Sequence, residues 1–263
     1  MKDLTVIIPM HEFGKENIEL LNKAVASVPT DVKVVLSIKK GVDGRKLKGI
    51  SDRLGIVQES NGDSFVELVN AAVNVIEEKW FSILEIDDTY TPIWLDNAKK
   101  YIDFMPDVSV FMFLEDITDF ENGKYIGFGN EAAWASSFSN EIGYIDNDCL
   151  QNYFDFYLTG SIFNVSDWKE FGGLKPLIKL TFWYEWLLRI TSKGKKVFVI
   201  PKVGYNHSLG RKGSLVETYK NTMSQDETQF WFDLAKRESY YHPSVEREAS
   251  KFEYKKEEPK EEE

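Results

Sequence analysis

Three carboxylates, Glu85, Asp87 and Asp88, stand within four positions of one another in the segment LEIDDTYTP. Glu85 and Asp87 are two apart, so on an extended backbone they share a face, and Asp88 follows in the turn before a helix that begins near Pro92. Carboxylates this close repel one another. A hard divalent cation held by one or two of them, with water and phosphate oxygens at its other positions, relieves that repulsion. The plainer alternative is a strand end running into a helix N-cap, with Asp88 or Thr89 as the cap and the other carboxylates solvated.

The elements around this cluster read as alternating strands and helices. Leu4 to Ile8 is a short apolar run closed by Pro9, the pattern of a buried strand. Ile18, Leu21, Val25 and Val28 recur at helical spacing, Val32 to Ile38 reads as the next strand, and a strand, helix and strand of this size form a right-handed crossover. Phe65, Leu68, Val69, Ala72 and Ile76 form a second helical stripe ahead of the apolar run FSILEI at residues 81–86. VSVFMFL at 108–114 suggests a strand buried on both faces. Residues 115–160 lose all period and read as a loop-rich, aromatic insertion. Regular signals return with a helix over about 181–192, a strand from Lys196 to Ile200 and a helix over about 216–241. The expectation is an α/β fold, an open, mostly parallel sheet flanked by helices, and ligands of such sheets bind outside the carboxyl ends of the strands. The acidic cluster lies at one such end.

Composition bounds the rest. The 263 residues are 43% hydrophobic and 14% aromatic, which suits one substantial core, expected over residues 1–241. KKEEPKEEE closes a charged segment, 242–263, expected to be a disordered tail. A formal net charge of −11 argues against nucleic acid as a partner. With Cys149 the single cysteine, no intramolecular disulfide forms, and Cys149 reads as a packing residue. No stretch approaches the length of a membrane helix and no leader pattern opens the chain, so the expected place is the cytoplasm.

The order of these blocks resembles family 2 glycosyltransferases of the GT-A fold. The segments that carry the resemblance are LTVIIP, NGDSFVELVNAAVNVIEEKWFSILEIDD, TPIWL, GSIFNVSDWKEFGGLKP and YEWLLRITSKGKKVFVIPK, spread over roughly residues 4–214 outside the insertion. The chain is also similar to divergent glycosyltransferase-like proteins of large tailed bacteriophages, which would put it in a host cytoplasm or a virion. The resemblance implies transfer of a sugar, with inversion, from a UDP- or GDP-type nucleoside diphosphate sugar to a hydroxyl of a glycan or other acceptor, with Mn²⁺ or Mg²⁺ at the diphosphate. It places Asp87 on the metal with Glu85 and Asp88 beside it, and Asn70 at the helix position the family uses for the donor. The loop YNHSLGRKGS then supplies His207 as a further metal ligand and Arg211 and Lys212 for phosphate.

The sequence departs from the family pattern in three places. The acidic pair that usually opens the helix ending in L-x-R, and supplies the base, is replaced by Phe182 and Trp183. Glu185 is the nearest substitute, with an ordinary Glu185–Arg189 helix pair as its competing reading. At the second strand the usual acidic turn is replaced by VVLSIKKGVDG, where Ser37 and Lys39 occupy the donor region. At the first strand Met10, His11 and Glu12 stand in for the usual Tyr-Asn, with Glu12 the candidate for a ribose or base contact. These departures sustain a second expectation, a glycosyltransferase-like domain that binds without turning over. A nucleotidyltransferase is a third, weakened by the lack of a Gly-rich basic loop early in the chain.

Overall fold

The computed structural model describes residues 2–43, 49–54, 56–136, 138–139 and 141–239, and within them ten strands join in one sheet. Four parallel strands form one half in the order β3 (Ile56–Ser60), β2 (Lys33–Lys39), β1 (Leu4–Pro9) and β4 (Trp80–Ile83). The sheet continues through β9 (Ile162–Asn164), which is antiparallel both to β4 and to β6 (Val108–Asp119), and then to β10 (Lys196–Leu209), parallel to β6. Three short strands complete it. β5 (Thr89–Tyr90) and β8 (Tyr144–Ile145) pair antiparallel with β10, and β7 (Tyr125–Gly129) pairs antiparallel with β6.

Every residue of β1 is buried, because helices cover both faces of the sheet. Alternation sends Leu4, Val6 and Ile8 to one side, where Ile18, Leu21 and Val25 of α1 (Lys15–Ser27) and Trp94, Ala98 and Ile102 of α3 (Trp94–Phe104) meet them. Ile7, Val35, Phe81 and Phe163 face the other side, against α2 (Phe65–Asn74), α5 (Val165–Phe171) and α6 (Phe182–Ser192). Phe81 has no exposed surface and stacks on Phe163 at 5.0 Å and edge-on to Trp168 at 5.0 Å. Truncating such a ring to alanine costs about 3–5 kcal/mol.

Three features of the sequence reading change. The strand expected from Lys196 to Ile200 runs on to Leu209, since its second half pairs with the extended β6, and His207 therefore lies in a strand and not in the loop after it. The stretch after residue 114 is not loop at its start: β6 runs on to Asp119 and folds back as β7, because Asp119 Oδ1 accepts the N–H groups of Glu121 and Asn122 at 3.1 and 3.0 Å and fixes the turn. The helix expected over about 216–241 is two, α7 (Leu215–Thr222) and α8 (Gln225–Ser239). Ser224 Oγ accepts the Glu227 N–H at 3.1 Å, a capping bond that starts the second helix where the first has ended. Residues 240–263, with the expected tail, lie outside the described residues. The short α4 (Asn147–Leu150) sits in the insertion. Among the described residues no helix is long and apolar enough to cross a membrane.

Candidate functional site

The C-terminal ends of β1, β3, β4 and β10 open onto a cavity of about 420 Å³. Met10, His11 and Glu12 line it after β1, Asp63 and Ser64 before α2, Glu85 and Asp87 after β4, and Arg211 after β10. Phe65, Ile178, Phe182, Leu215 and Tyr219 give it apolar walls. The rim at α2 is fixed by a capping box, in which Ser64 Oγ accepts the Glu67 N–H and Glu67 Oε2 accepts the Ser64 N–H, each at 3.2 Å.

The acidic loop is held from both sides. Leu84 N–H donates to the Ile7 carbonyl at 2.9 Å as the last bond of β4 to β1, and Glu85 N–H donates to the Tyr205 hydroxyl at 3.2 Å. Immediately after Asp88 the chain pairs with β10, where Asn206 Nδ2 donates to Thr89 Oγ1 at 3.0 Å and Thr91 Oγ1 to the Val203 carbonyl at 2.8 Å. The β-branched Thr89 and Thr91 therefore act as the fastening that aims Asp87 and Asp88. Gly160 supports this from behind: at φ +78° it lies so close to the Tyr205 ring that a Cβ there would stand 2.3 Å from Cδ2. Only glycine fits.

Both aspartates find partners on β10 and the turn after it. Arg211 Nε donates to Asp87 Oδ2 at 2.6 Å, and Asp88 takes the Ser208 N–H on Oδ1 at 2.7 Å and the His207 Nδ1 on Oδ2 at 3.1 Å. Burial, then the charges of Asp88 and Asp87, push the Glu85 carboxyl up to about 8. Asp87 is raised by burial and by Asp88, against the pull of Arg211. Burial opposes charge on His207, but Asp88, Glu115 and Glu85 outweigh it and hold the imidazole at about 10. Four carboxyls thus face two cations.

The expected ligand set of Glu85, Asp87 and His207 does not form a cage. Among the described residues no three His, Cys, Asp or Glu side chains converge as a metal site, and His207 spends Nδ1 on Asp88. The oxygens of Asp87 suit a hard cation that draws its remaining ligands from phosphate and water, the usual arrangement for Mg²⁺. In that form the residues present fit the metal.

The other expected contacts divide. Glu12 lines the cavity beside Arg211, whereas the exposed Lys212 is not among the lining residues. Lys39 is exposed and pairs with Asp63, a lining residue, at 2.8 Å. Ser37 is fully buried and donates to the Leu68 carbonyl at 2.7 Å, so it ties β2 to α2 and is not available to a donor. Asn70 is likewise committed: Nδ2 donates to the Leu174 carbonyl at 2.7 Å and Oδ1 accepts the Leu174 N–H at 3.1 Å. Glu185 is fully buried, gripped by Arg189 at 2.8 and 2.9 Å and by Lys175 at 3.1 Å. That corrects its reading as a base, since the helix pair is what forms. Phe182 lies on the cavity wall and Trp183 stacks on Phe163 at 5.7 Å.

Two neighbours of the cluster went unread in this role. Glu115 is 1% exposed, and its Oε2 has no hydrogen-bond partner. Burial, against the pull of His207, holds it well above the carboxylate range. Its one signal in the sequence is that it is the first charge after the apolar run VSVFMFL, within β6. Tyr157, one of many insertion aromatics, places its ring 5.2 Å from His207, while Phe138, Tyr153 and Phe156 pack on one another. Cys149 donates to the Asp146 carbonyl at 3.0 Å and burial pushes its thiol up to about 12, consistent with packing.

The mixed sheet between helix layers, with an acidic loop at the carboxyl end of its central parallel strand, defines a GT-A-like fold. Solved structures of residues 1–349 of TarS from S. aureus share it. The complex with UDP superposes with a TM-score of 0.58 at 14% identity, over 90% of this chain and 70% of that one. The complex with UDP-GlcNAc gives 0.57 at 15% identity, over 82% and 60%. The same fragment described without a ligand gives 0.56, over 78% of this chain and 60% of that one, so the chain spans well under the full length of that neighbour. No protein-family model matches the sequence, and no curated protein matches it.

Proposed function

We propose that this chain is a glycosyltransferase that binds a UDP- or GDP-type nucleoside diphosphate sugar in the cavity and passes the sugar, with inversion, to a hydroxyl of a glycan or other acceptor. The observation that carries the reading is the Asp87–Arg211 pair on the wall of an apolar-sided cavity, an anion and a cation side by side where a metal diphosphate needs both. Asp87 would hold Mn²⁺ or Mg²⁺, and Arg211 would take phosphate oxygens. The cation, when bound, neutralises charge that gathers on the leaving diphosphate. Glu12 and the wall from Phe65 to Val66 would receive the nucleoside, and Phe182, Leu215 and Tyr219 keep water from the reacting bond. The UDP and UDP-GlcNAc complexes of TarS support a nucleotide sugar as the ligand class.

A second reading is favoured by one feature. With Phe182 and Trp183 at the start of α6 and Glu185 sequestered, the helix offers no free carboxylate as base, which suits a domain that binds and does not turn over. It extends to a structural role, including in a virion.

Thermal unfolding with UDP or GDP and MnCl₂ tests the donor site. At a ligand concentration of about 100 Kd the stabilisation is about 2.7 kcal/mol, or a melting rise of roughly 5–10 °C for a domain of this size. No shift with any nucleoside diphosphate, with or without metal, removes the donor site, and with it the enzyme and the nucleotide-binding module, and leaves only the structural role. A shift that D87N abolishes supports the site. Release of UDP from UDP-sugars in the presence of glycan acceptors then separates enzyme from binding module.

A further inference from the structure

Arg211 is placed to do more than bind. Its side chain is 10% exposed, and Nε donates to Asp87, whose own side chain is 6% exposed. Among the described residues its two Nη groups have no protein hydrogen-bond partner, although they belong to a residue that lines the cavity. A guanidinium spends five donors where it is fully used; here the fork is left open toward the ligand space. The backbone that carries it is a turn, closed by the Ser214 N–H on the Arg211 carbonyl at 3.0 Å. Gly210 and Gly213 flank it at φ +87° and +84°, and α7, which follows at once, contains no fully buried residue.

We infer that Arg211 is a partner-switching residue that keeps Asp87 from a divalent cation until a diphosphate arrives. This rests on the donor-site reading above. In the empty chain the guanidinium neutralises Asp87 and occupies Oδ2, so a cation alone must displace a buried ion pair and binds weakly. A diphosphate offers the fork better partners, two or three charged oxygens in the geometry it prefers. Once Arg211 has moved to phosphate, Asp87 is released to the cation. The shared partner makes the two ligands cooperative, and the coupling is reciprocal by linkage. Part of any cooperativity comes from direct contact between cation and diphosphate. The part assigned to Arg211 is the weakness of cation binding in its presence.

Two measurements on the full chain test this. Calorimetric titration with MnCl₂ alone, UDP alone and each in the presence of the other is made on wild type, R211Q and R211K. R211Q is expected to bind MnCl₂ alone about tenfold more tightly than wild type, within the usual range of coupling between sites, and to bind UDP less tightly with a smaller cooperative factor. R211K keeps a charge beside Asp87 and is expected to stay weak for MnCl₂. The second measurement needs no loss of the residue: the Arg211 ¹⁵Nε–¹Hε resonance, assigned by its absence from R211K, is followed on wild type. It is expected to be protected in the free chain, to hold with MgCl₂ alone, and to shift when UDP and MgCl₂ are both present. An unmoved resonance on ternary binding, or equal MnCl₂ affinity in R211Q and wild type, overturns the inference and leaves the donor site standing. Absence of UDP binding by wild type under every condition overturns both.

Discussion

The side-chain amide of Asn70 closes two hydrogen bonds on the backbone of Leu174, accepting its N–H at 3.1 Å and donating to its carbonyl at 2.7 Å, across 104 residues. The clasp fixes the Gly172–Leu174 turn against α2. Gly173 belongs to it as well, since at φ +68° a Cβ would stand 2.5 Å from Asn70 Oδ1. N70A strands two backbone groups and is expected to cost about 2–3 kcal/mol in urea unfolding, with UDP affinity unchanged. A large loss of UDP affinity without loss of stability would restore Asn70 to the donor site.

The neighbouring network predicts the same division. Arg189 holds Glu185 with two bonds, donates to the Gly173 carbonyl at 2.7 Å and also to the Phe171 carbonyl. E185A leaves the part-buried Arg189 guanidinium without its anion and empties a fully buried site, at a cost of up to about 3 kcal/mol. Under the proposed function, sugar transfer by the fraction that remains folded is expected to keep its pH profile. A variant of normal stability that has lost only turnover would return Glu185 to the role of base.

Protonation of the site gives a pH dependence with a defined sign. Glu85 keeps a proton in the folded chain up to about pH 8, while the unfolded chain releases it near 4.5, so its contribution to stability falls as pH rises through that window. His207 is raised from 6.5 to about 10, and what it contributes is complete below 6.5 and lost as pH rises toward 10. Both slopes point the same way. The melting temperature is expected to fall from about pH 6 to about pH 9, and less steeply in E85Q, where the lower part of the window disappears. A flat profile in wild type would contradict the buried cluster.

Gly160 offers a test at a distance from the ligand. G160A puts a methyl group into the Tyr205 ring at a backbone angle unfavourable to alanine, and the Gly160 carbonyl also accepts the Trp94 indole N–H at 3.0 Å. The expected loss is about 3 kcal/mol or more from overpacking and strain together. Because Tyr205 bonds the Glu85 N–H, the same change is expected to weaken MnCl₂–UDP binding. Retained binding would show that the acidic loop holds its shape without Tyr205.

Much of this architecture was legible because apolar period reports burial directly. β1, α1, β2, α2 and α6 fall within a residue or two of where the apolar stripes put them, and LEIDD was placed at a strand end. β3 and β9 were not read. β9 has three residues, and three residues carry no period. Polar side chains were the harder case, since a Ser, Asn or Glu inside an apolar pattern looks the same whether it meets a ligand or a backbone group far along the chain. Ser37 bonds a carbonyl 31 residues away and Asn70 one 104 away, and no local pattern encodes either. Glu115 is a further such case: it follows the apolar run VSVFMFL and precedes Asp116, and nothing in that pattern separates the buried carboxyl from its more exposed neighbour.

The spacing of the site along the chain bears on how it is made. Asp88 and Asp87 meet His207, Ser208 and Arg211 across 119, 120 and 124 residues. At roughly 5–20 residues per second of synthesis, the carboxylates wait on the order of 6–25 s for their cations. In that interval β1 to β4 can pair and pack on α1 and α2, but β4 remains an open edge until β9 arrives to cover it. A ribosome stalled before Ile162 therefore presents a half-sheet with one edge of β4 open and a self-repelling loop beside it, a stage at which a chaperone would shield the nascent chain.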